Sequence, residues 1–533
     1  MMKISNKKII ITAIICIILI SIAIAQKQVS TDTFYTIKIG EYINENGIWN
    51  LTEDPFSWIE LPYTFPHWLY DFMMYQIYSI AGWTSIYIST ILFTAILGIL
   101  IFILSYKKSK NEILSGILSV LALYLIRAFC VARAQMISYA IFVLVILCIE
   151  EFLEKKKCIY AVFLPILSLI LVNIHMGTWP FMFILFLPYF AENLSVKLLN
   201  IVNKFKSNKE YKKYIEKKEY DFYKIKLKKN ENIIKLLIIM IISMSMGILT
   251  PTGISTPYTY LYKAMSGTTT DSIIEYTPAN IESIYQNIIV FFGIALISFF
   301  TPVKLKIKNI FFYCGLMSMT LAQARHYSLF IILVTPIYVE ILNEILNIYF
   351  KENLNISRKI INMVYTPIFI VMIMIMVSYK IYKPKLITKY ISGRIVPIEA
   401  TIWIKENLDY KNIKLFNEYN YGSYLLFNDI PVMIDNRAEL YSPEFNTKTG
   451  KVEDGKNIFE DVVNKIEKNI DVYEYFKKYG VEYAILGRAN WEFYNELETD
   501  KKHYEKIYPL EEKDIKQNNT FSVYKIYYDS EEK

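Results

Sequence analysis

Long uncharged hydrophobic runs recur along this chain, divided by short polar stretches rich in lysine. A helix rises about 1.5 Å per residue, so about 20 apolar residues cross the hydrocarbon core of a bilayer. Residues 9–25 and 83–106 carry no charge and approach or reach that length. Further runs lie at 113–129, 135–149, 159–172, 179–190, 236–249, 288–300, 310–322, 327–350 and 360–379. The pattern predicts about eleven transmembrane helices, the shorter ones extending into their flanks. After residue 379 the pattern turns to mixed charge. A helix is expected over 397–407, beginning at Pro397. Strands are expected at 413–416, 432–434 and 481–486, with a helical segment at 459–478 and closing strand-like segments at Tyr508 and 521–528.

The fold class that follows is a polytopic α-helical membrane protein with a small C-terminal extracytoplasmic α/β domain. Residues 1–385 form the expected membrane domain, including a first outer loop at 26–82 and a basic cytoplasmic loop at 197–235. The latter reads as an amphipathic or partly disordered surface segment. Residues 386–533 form the soluble domain.

Composition supports this division. The chain is 54% hydrophobic with a mean hydropathy of +0.28. Its net charge of +8 would suit a nucleic-acid partner if the charge were gathered on one domain. Instead the lysines cluster at 107–110, 155–157, 197–235, 304–308 and 351–359, always between hydrophobic runs. That is the positive-inside pattern, and it excludes a nucleic-acid reading. It places a multi-pass protein in the cell membrane, N-terminus cytoplasmic and C-terminal domain outside. Lys7, Lys8 and the run ending Ala23-Ile24-Ala25 are also compatible with a cleaved signal peptide, but a retained anchor is the preferred reading. Both leave residue 26 onward outside. The five cysteines lie in or beside spans, so no disulfide framework is implied. No internal repeat, phosphate-binding loop or dinucleotide fingerprint is found.

The polar residues at the outer ends of the spans differ in kind from those inside. Outside lie His67, His175, His326, Asp32, Asp54, Asp71, Arg127, Arg133, Glu275 and Arg325. A charge within hydrocarbon costs about 2.5–3.5 kcal/mol on insertion scales. Arg127, Arg133 and Arg325 near span ends therefore point to an aqueous, anion-attracting cavity, with snorkelling to lipid headgroups as the plain alternative. In the first outer loop, Asp32 is placed either to cap a following helix or to act as a general base or metal ligand for a membrane-anchored substrate. Phe34, Ile37 and Tyr42 would face the membrane as an interfacial helix. His67, Tyr70 and Asp71 share one face of a second helix.

Several short motifs occur in order along the chain. They are Asp32 with Gly40-Glu41, Asp54-Pro55-Phe56-Ser57-Trp58, Pro66-His67-Trp68-Leu69-Tyr70, Ala132-Arg133-Ala134-Gln135, and Asn173-Ile174-His175-Met176-Gly177. Thr250-Pro251-Thr252-Gly253, Ile274-Glu275-Tyr276 and Ala324-Arg325-His326 follow. The C-terminal part adds Phe416-Asn417-Glu418-Tyr419-Asn420-Tyr421-Gly422 and Ile434-Asp435-Asn436-Arg437-Ala438-Glu439-Leu440-Tyr441. On these motifs the chain resembles the GT-C superfamily of membrane glycosyltransferases, particularly bacterial ArnT/RgtA/B/C/D-like proteins. The resemblance implies an enzyme that moves a sugar from a polyprenyl-phosphate carrier to a glycan, lipid or protein acceptor at the outer face.

It also implies roles: Asp32 as base, Asp54 as second acid or metal ligand, and Arg133 and Arg325 on the lipid phosphate. His175 and His326 would bond the leaving phosphate or a sugar hydroxyl, with His67, Arg127 and Glu275 as further substrate-binding residues. The resemblance leaves the cofactor open; a divalent cation, Mg or Mn, if the enzyme uses one, would sit on Asp32 and Asp54. The rival readings are a transporter or flippase of a lipid-linked saccharide and a non-catalytic envelope-assembly protein. In the C-terminal part, Asn420-Tyr421-Gly422 is expected to turn, with unusual backbone angles at Gly422. Asp435 and Arg437 are either a structural ion pair or part of a carbohydrate-contacting surface.

Overall fold

A computed structural model describes residues 6–49, 52–155, 157–207, 217–266, 277–278, 288–349, 390–447, 452–465, 472–487, 491–509 and 521–528. The expected last span at 360–379 and the candidate Glu275 lie outside the described residues. Among the described residues, five helical stretches are long and apolar enough to cross a membrane: Lys7–Ile24, Trp83–Ser109, Gln135–Lys155, Met176–Phe205 and Ala324–Tyr349. Shorter apolar helices are Glu112–Leu125, Cys158–Ile174, Ile233–Ile248 and Ile307–Ala322. The chain is a multi-pass membrane protein. It divides into two compact units, one of residues 1–26, 87–250 and 275–386, the other of 27–86, 251–274 and 387–533.

The first unit holds most of the apolar helices. Small residues set how closely they approach, as expected where lipid gives no hydrophobic drive between helices. A Cβ on Gly116 would stand 2.9 Å from the Ala13 Cβ, and one on Gly98 would meet Leu123 and Ile17 at 2.6 and 2.7 Å. The lysines at the other side of these helices do more than mark topology. The Glu150 carboxylate, 4% exposed, receives Lys108 at 3.1 Å and Lys308 at 3.5 Å, while Glu151 holds Lys107 at 3.2 Å. Asn111 caps the helix Glu112–Leu125 and also bonds Asn343 at 2.9 Å.

The described parts of the basic segment 197–235, residues 197–207 and 217–235, hold regular structure. Beyond the helix Leu187–Ser207, strands β1 (Glu219–Asp221) and β2 (Ile225–Lys228) pair antiparallel, and β3 (Leu305–Lys306) adds parallel to β2. Tyr220 and Leu227 point to one face and pack on Val196. Alternation hidden among lysines thus supports a small sheet.

The second unit is built on a four-stranded mixed sheet, order β4-β5-β7-β6, with β4 Leu415–Asn417, β5 Tyr483–Gly487, β6 Tyr504–Tyr508 and β7 Phe521–Ile526. β4 runs parallel to β5, and the other pairs are antiparallel. The expected helix forms as Ile398–Asn407 after Pro397. The expected strand at 432–434 does not join this sheet. Val432 instead bridges Ser57 and accepts from the Trp58 N–H at 3.2 Å, so its backbone bonds serve the first loop.

That loop forms the helices Thr31–Asn46 and Trp68–Ala81. Phe34 and Ile37, expected to face lipid, are 1% and 2% exposed. Phe34 packs on the rings of Tyr424 at 5.1 Å and Trp83 at 5.4 Å. The apolar stripe is covered by protein because C-terminal residues supply an equally apolar partner. Gly40 lets the two loop helices cross, since a Cβ there would stand 2.1 Å from the Asp71 carbonyl. Gly422 opens the helix Gly422–Phe427 with φ −54°, so the unusual angles expected of it are absent. It is needed for space instead: a Cβ would stand 2.0 Å from the Ile434 carbonyl.

Candidate functional site

In the second unit, Asp32 lies in the first turn of the helix Thr31–Asn46, half-buried, where the helix N-terminus favours a carboxylate. One turn on, Tyr35 lines a cavity of about 20 Å³ together with Tyr63, His67, Tyr260, Glu439 and Phe445. Burial first, and then the nearby Asp32, Asp71, Tyr63 and Glu439, hold the Tyr35 phenol well above its usual range. Asp32 therefore stands beside this cavity. His67 precedes the helix Trp68–Ala81, and burial lowers its imidazole to about 4, which keeps it neutral. Asp71, fully buried on that helix, is held well above the carboxylate range by burial, against the opposing pull of Thr36 and Arg437.

Asp54 has a different neighbourhood. Its Oδ1 accepts from Arg437 Nη1 at 2.5 Å and its Oδ2 from the Ser57 N–H at 2.8 Å. Arg437 spends the rest of its fork on Asp435, Nε at 2.9 Å and Nη2 at 2.6 Å, with its guanidinium 4.8 Å from the Tyr63 ring. Tyr441 also donates to Asp435 at 2.7 Å. Arg437 is 3% exposed and Asp54 7%. A buried, bidentate guanidinium matched by two carboxylates is a structural lock. Asp54 is buried, with one oxygen committed to Arg437 and the other to the Ser57 N–H. Among the described residues no three His, Cys, Asp or Glu side chains come together as a metal-binding group. The pair Asp32 and Asp54 does not fit a divalent cation.

Other motif residues also stitch the fold. Asn417 Nδ2 donates to the Ile434 carbonyl at 2.7 Å, and its Oδ1 accepts from Met433 N–H at 3.0 Å. Glu418 accepts from the Tyr421 hydroxyl and the Gly487 N–H, both at 2.8 Å.

In the first unit the helix Cys158–Ile174 ends at His175, whose N–H returns to the Leu171 carbonyl. A turn at Met176–Thr178 follows, fixed by Trp179, which is 2% exposed and donates from its indole to Ser168 at 2.8 Å. This sets His175 Nδ1 2.9 Å from Ser138 Oγ, and Thr178 donates to the same hydroxyl at 3.2 Å. Next to Ser138, Tyr139 bonds Ser328 at 2.5 Å, and Ser328 reaches the Arg325 carbonyl at 3.4 Å. His326 meets Phe181 edge-on at 5.0 Å. Arg127, exposed, lies over the Tyr124 ring at 4.6 Å and within electrostatic reach of Tyr327. Arg133 is half-buried in the turn before Gln135–Lys155. The helix ends carrying Arg127, Arg133, His175, Arg325 and His326 are the ones opposite the Lys108–Glu150 pairs, so the arginines stand apart from the lysine–glutamate pairs along these helices.

No family model and no curated protein matches this sequence. Solved structures do. The Archaeoglobus fulgidus oligosaccharyltransferase, tethered with an acceptor peptide containing the NVT sequon via a disulfide bond, matches with a TM-score of 0.53 at 11% identity over 90% of this chain and 69% of its own. The same enzyme in the apo form gives a TM-score of 0.54 at 11% identity, over 91% of this chain and 70% of that one. The chain shares the fold of this oligosaccharyltransferase. At this identity the likeness is one of architecture, and its coverage takes in residues of both units.

Several site residues escape sequence reasoning. Tyr35 and Tyr63 look like ordinary aromatic positions until the cavity places them. Glu439 stands in the motif Ile434–Tyr441, where Arg437 and Asp435 draw the eye. Ser138 is one hydroxyl among many in apolar helices, and only its contacts with His175 and Thr178 single it out.

Proposed function

We propose that this protein is a membrane glycosyltransferase that takes a sugar from a polyprenyl-phosphate carrier and passes it to an acceptor at the outer face. The observation that carries the reading is the fold shared with the oligosaccharyltransferase over nine-tenths of the chain. The placement of the arginines supports it. A departing lipid phosphate is an anion beside the membrane, and Arg127, Arg133 and Arg325 stand at the same end of their helices, where preorganised cations stabilise charge as it develops. Arg133 and Arg325 are assigned to the phosphate, for which a guanidinium fork is suited. His175, oriented by Ser138, and His326 are assigned to hydrogen bonds with that phosphate or a sugar hydroxyl. Asp32 is the proposed base toward the acceptor. Asp54 is left out of the chemistry and given to the Arg437 lock.

The test is transfer by purified protein in liposomes, from radiolabelled polyprenyl-phosphate sugars to lipid and glycan acceptors. Labelled product from wild type is expected. Asp32→Asn should lower it about 100-fold or more, the range for loss of a general base, with unchanged membrane insertion. Full transfer by that variant would remove Asp32 from the role.

A further inference from the structure

In the first unit, the helix Leu187–Ser207 runs on past the helices that surround its start. Tyr189, in its first turn, donates to Glu150 at 3.3 Å, and its ring lies 5.1 Å from the Lys308 ammonium. One turn on, Asn193 accepts from the Asn230 N–H at 2.9 Å, and the Asn230 amide reaches the Leu153 carbonyl at 3.4 Å. Leu153 is in the last turn of Gln135–Lys155, and Asn230 comes just before Ile233–Ser245. Asn193 therefore already stands level with the lysine-bearing ends of the bundle. Residues 194–207 add about 20 Å of helix beyond that level. This overhang has two faces. Val196 and Leu199 pack on Tyr220 and Leu227 of the small sheet. Asn200 exchanges two bonds with the Lys217 backbone, at 2.8 and 3.0 Å, and Asn203 donates to the Tyr220 hydroxyl at 2.9 Å. On the side away from the sheet, Leu194, Leu198, Ile201, Val202 and Phe205 are all exposed. At 3.6 residues per turn they form one stripe about 100° wide, bordered by the exposed Lys197 and Lys204. Apolar side chains scattered singly on a surface need no explanation, but a continuous stripe marks an interaction. Charge says with what. Residues 197–235 hold thirteen lysines against five acidic side chains, an excess of eight that equals the net charge of the whole chain, +8. Pairs such as Lys218–Glu231 and Lys228–Glu219 form inside the segment, yet complete pairing within it leaves the same excess. An apolar stripe edged by lysines, in a basic segment at the end of a membrane bundle, matches the boundary between headgroups and acyl chains of an anionic leaflet.

We propose that residues 194–207 form an interfacial arm that lies along the bilayer surface, its apolar stripe in the acyl boundary, and that its partner is anionic phospholipid. The small sheet covers the opposite face of the arm and so stands on its water side. The arm ties the lysine-bearing end of the bundle to the leaflet. It needs no enzymatic activity and is independent of the glycosyltransferase reading.

The experiment uses the full chain, one copy per nanodisc, in phosphatidylcholine and phosphatidylglycerol at about three to one. A bimane fluorophore is placed on Phe205→Cys, on the stripe, or on Lys217→Cys, on the sheet side. Both variants carry Cys158→Ser and Cys314→Ser, which remove the exposed native thiols. Lipid bearing a nitroxide near the glycerol end of its acyl chain should quench the label at 205 at least about 5-fold more than at 217, and aqueous iodide should do the reverse. Omitting phosphatidylglycerol, or adding Lys197→Glu with Lys204→Glu, should lower lipid quenching at 205 by about 2-fold or more. Equal lipid quenching at the two positions overturns the proposal. Protection of position 205 from both quenchers also overturns it, since protein and not lipid would then cover the stripe. Lipid quenching that is the same with and without phosphatidylglycerol overturns the choice of an anionic partner.

Discussion

His67 shows how a single side chain can report on its surroundings. Its folded-state value of about 4 lies below the ordinary 6.5, so between these limits the unfolded chain binds the extra proton. Stability from this residue is fully present above about pH 6.5 and is lost as pH falls toward 4, by up to about 3 kcal/mol, less for the part of the ring water reaches. Asp71 works with the opposite sign. Its folded value is raised, so its contribution is present below the ordinary carboxylate value and lost as pH rises through the folded one. Replacing His67 by Gln should flatten the pH 4–6.5 portion of the melting curve, measured in detergent. An unchanged slope would mean the ring is not desolvated. At this scale the sequence was only partly readable. Asp32 at a helix start could be seen in its local spacing. The Arg437–Asp54 lock could not, because its partners are 383 positions apart and each also reads as chemistry.

Among elements, glycines and alternation carry the information. The amphipathic helix Thr31–Asn46 could be read from its pattern, but not what covers it, since period says which residues share a face and not whether lipid or protein meets that face. Gly422 is a similar case: a glycine signals either backbone angle or space, and here it is space. Gly422→Ala should therefore destabilise the second unit by about 1–3 kcal/mol, the range for overpacking, while leaving helix content unchanged. A melting temperature equal to wild type would contradict the 2.0 Å approach to Ile434. The missed sheet β1–β3 has a different cause. Its strands are short and lysine-rich, and its third member comes from residues 305–306, after further apolar helices.

For the molecule as a whole, hydropathy and charge alone gave the membrane class, because a bilayer allows few ways to bury backbone groups. They did not give the makeup of the second unit. The three segments 27–86, 251–274 and 387–533 sit in one compact body, with Ile39, Ile43 and Phe65 in the same core as Phe416, Met433 and Tyr441. A chain truncated after residue 386, purified in detergent, should keep its membrane helices but leave residues 27–86 open to added protease. Equal resistance in truncated and full-length protein would show that the loop folds by itself.

The same division sets a timetable. At about 5–20 residues per second of synthesis, the stretch between residues 86 and 387 takes roughly 15–60 seconds. Throughout that interval Phe34 and Ile39 have been made while C-terminal partners such as Tyr424 and Phe416 have not. The cell must hold that segment unaggregated for roughly 15–60 seconds, so the rate of synthesis, and any helper that binds the waiting helix, becomes part of how this protein is made.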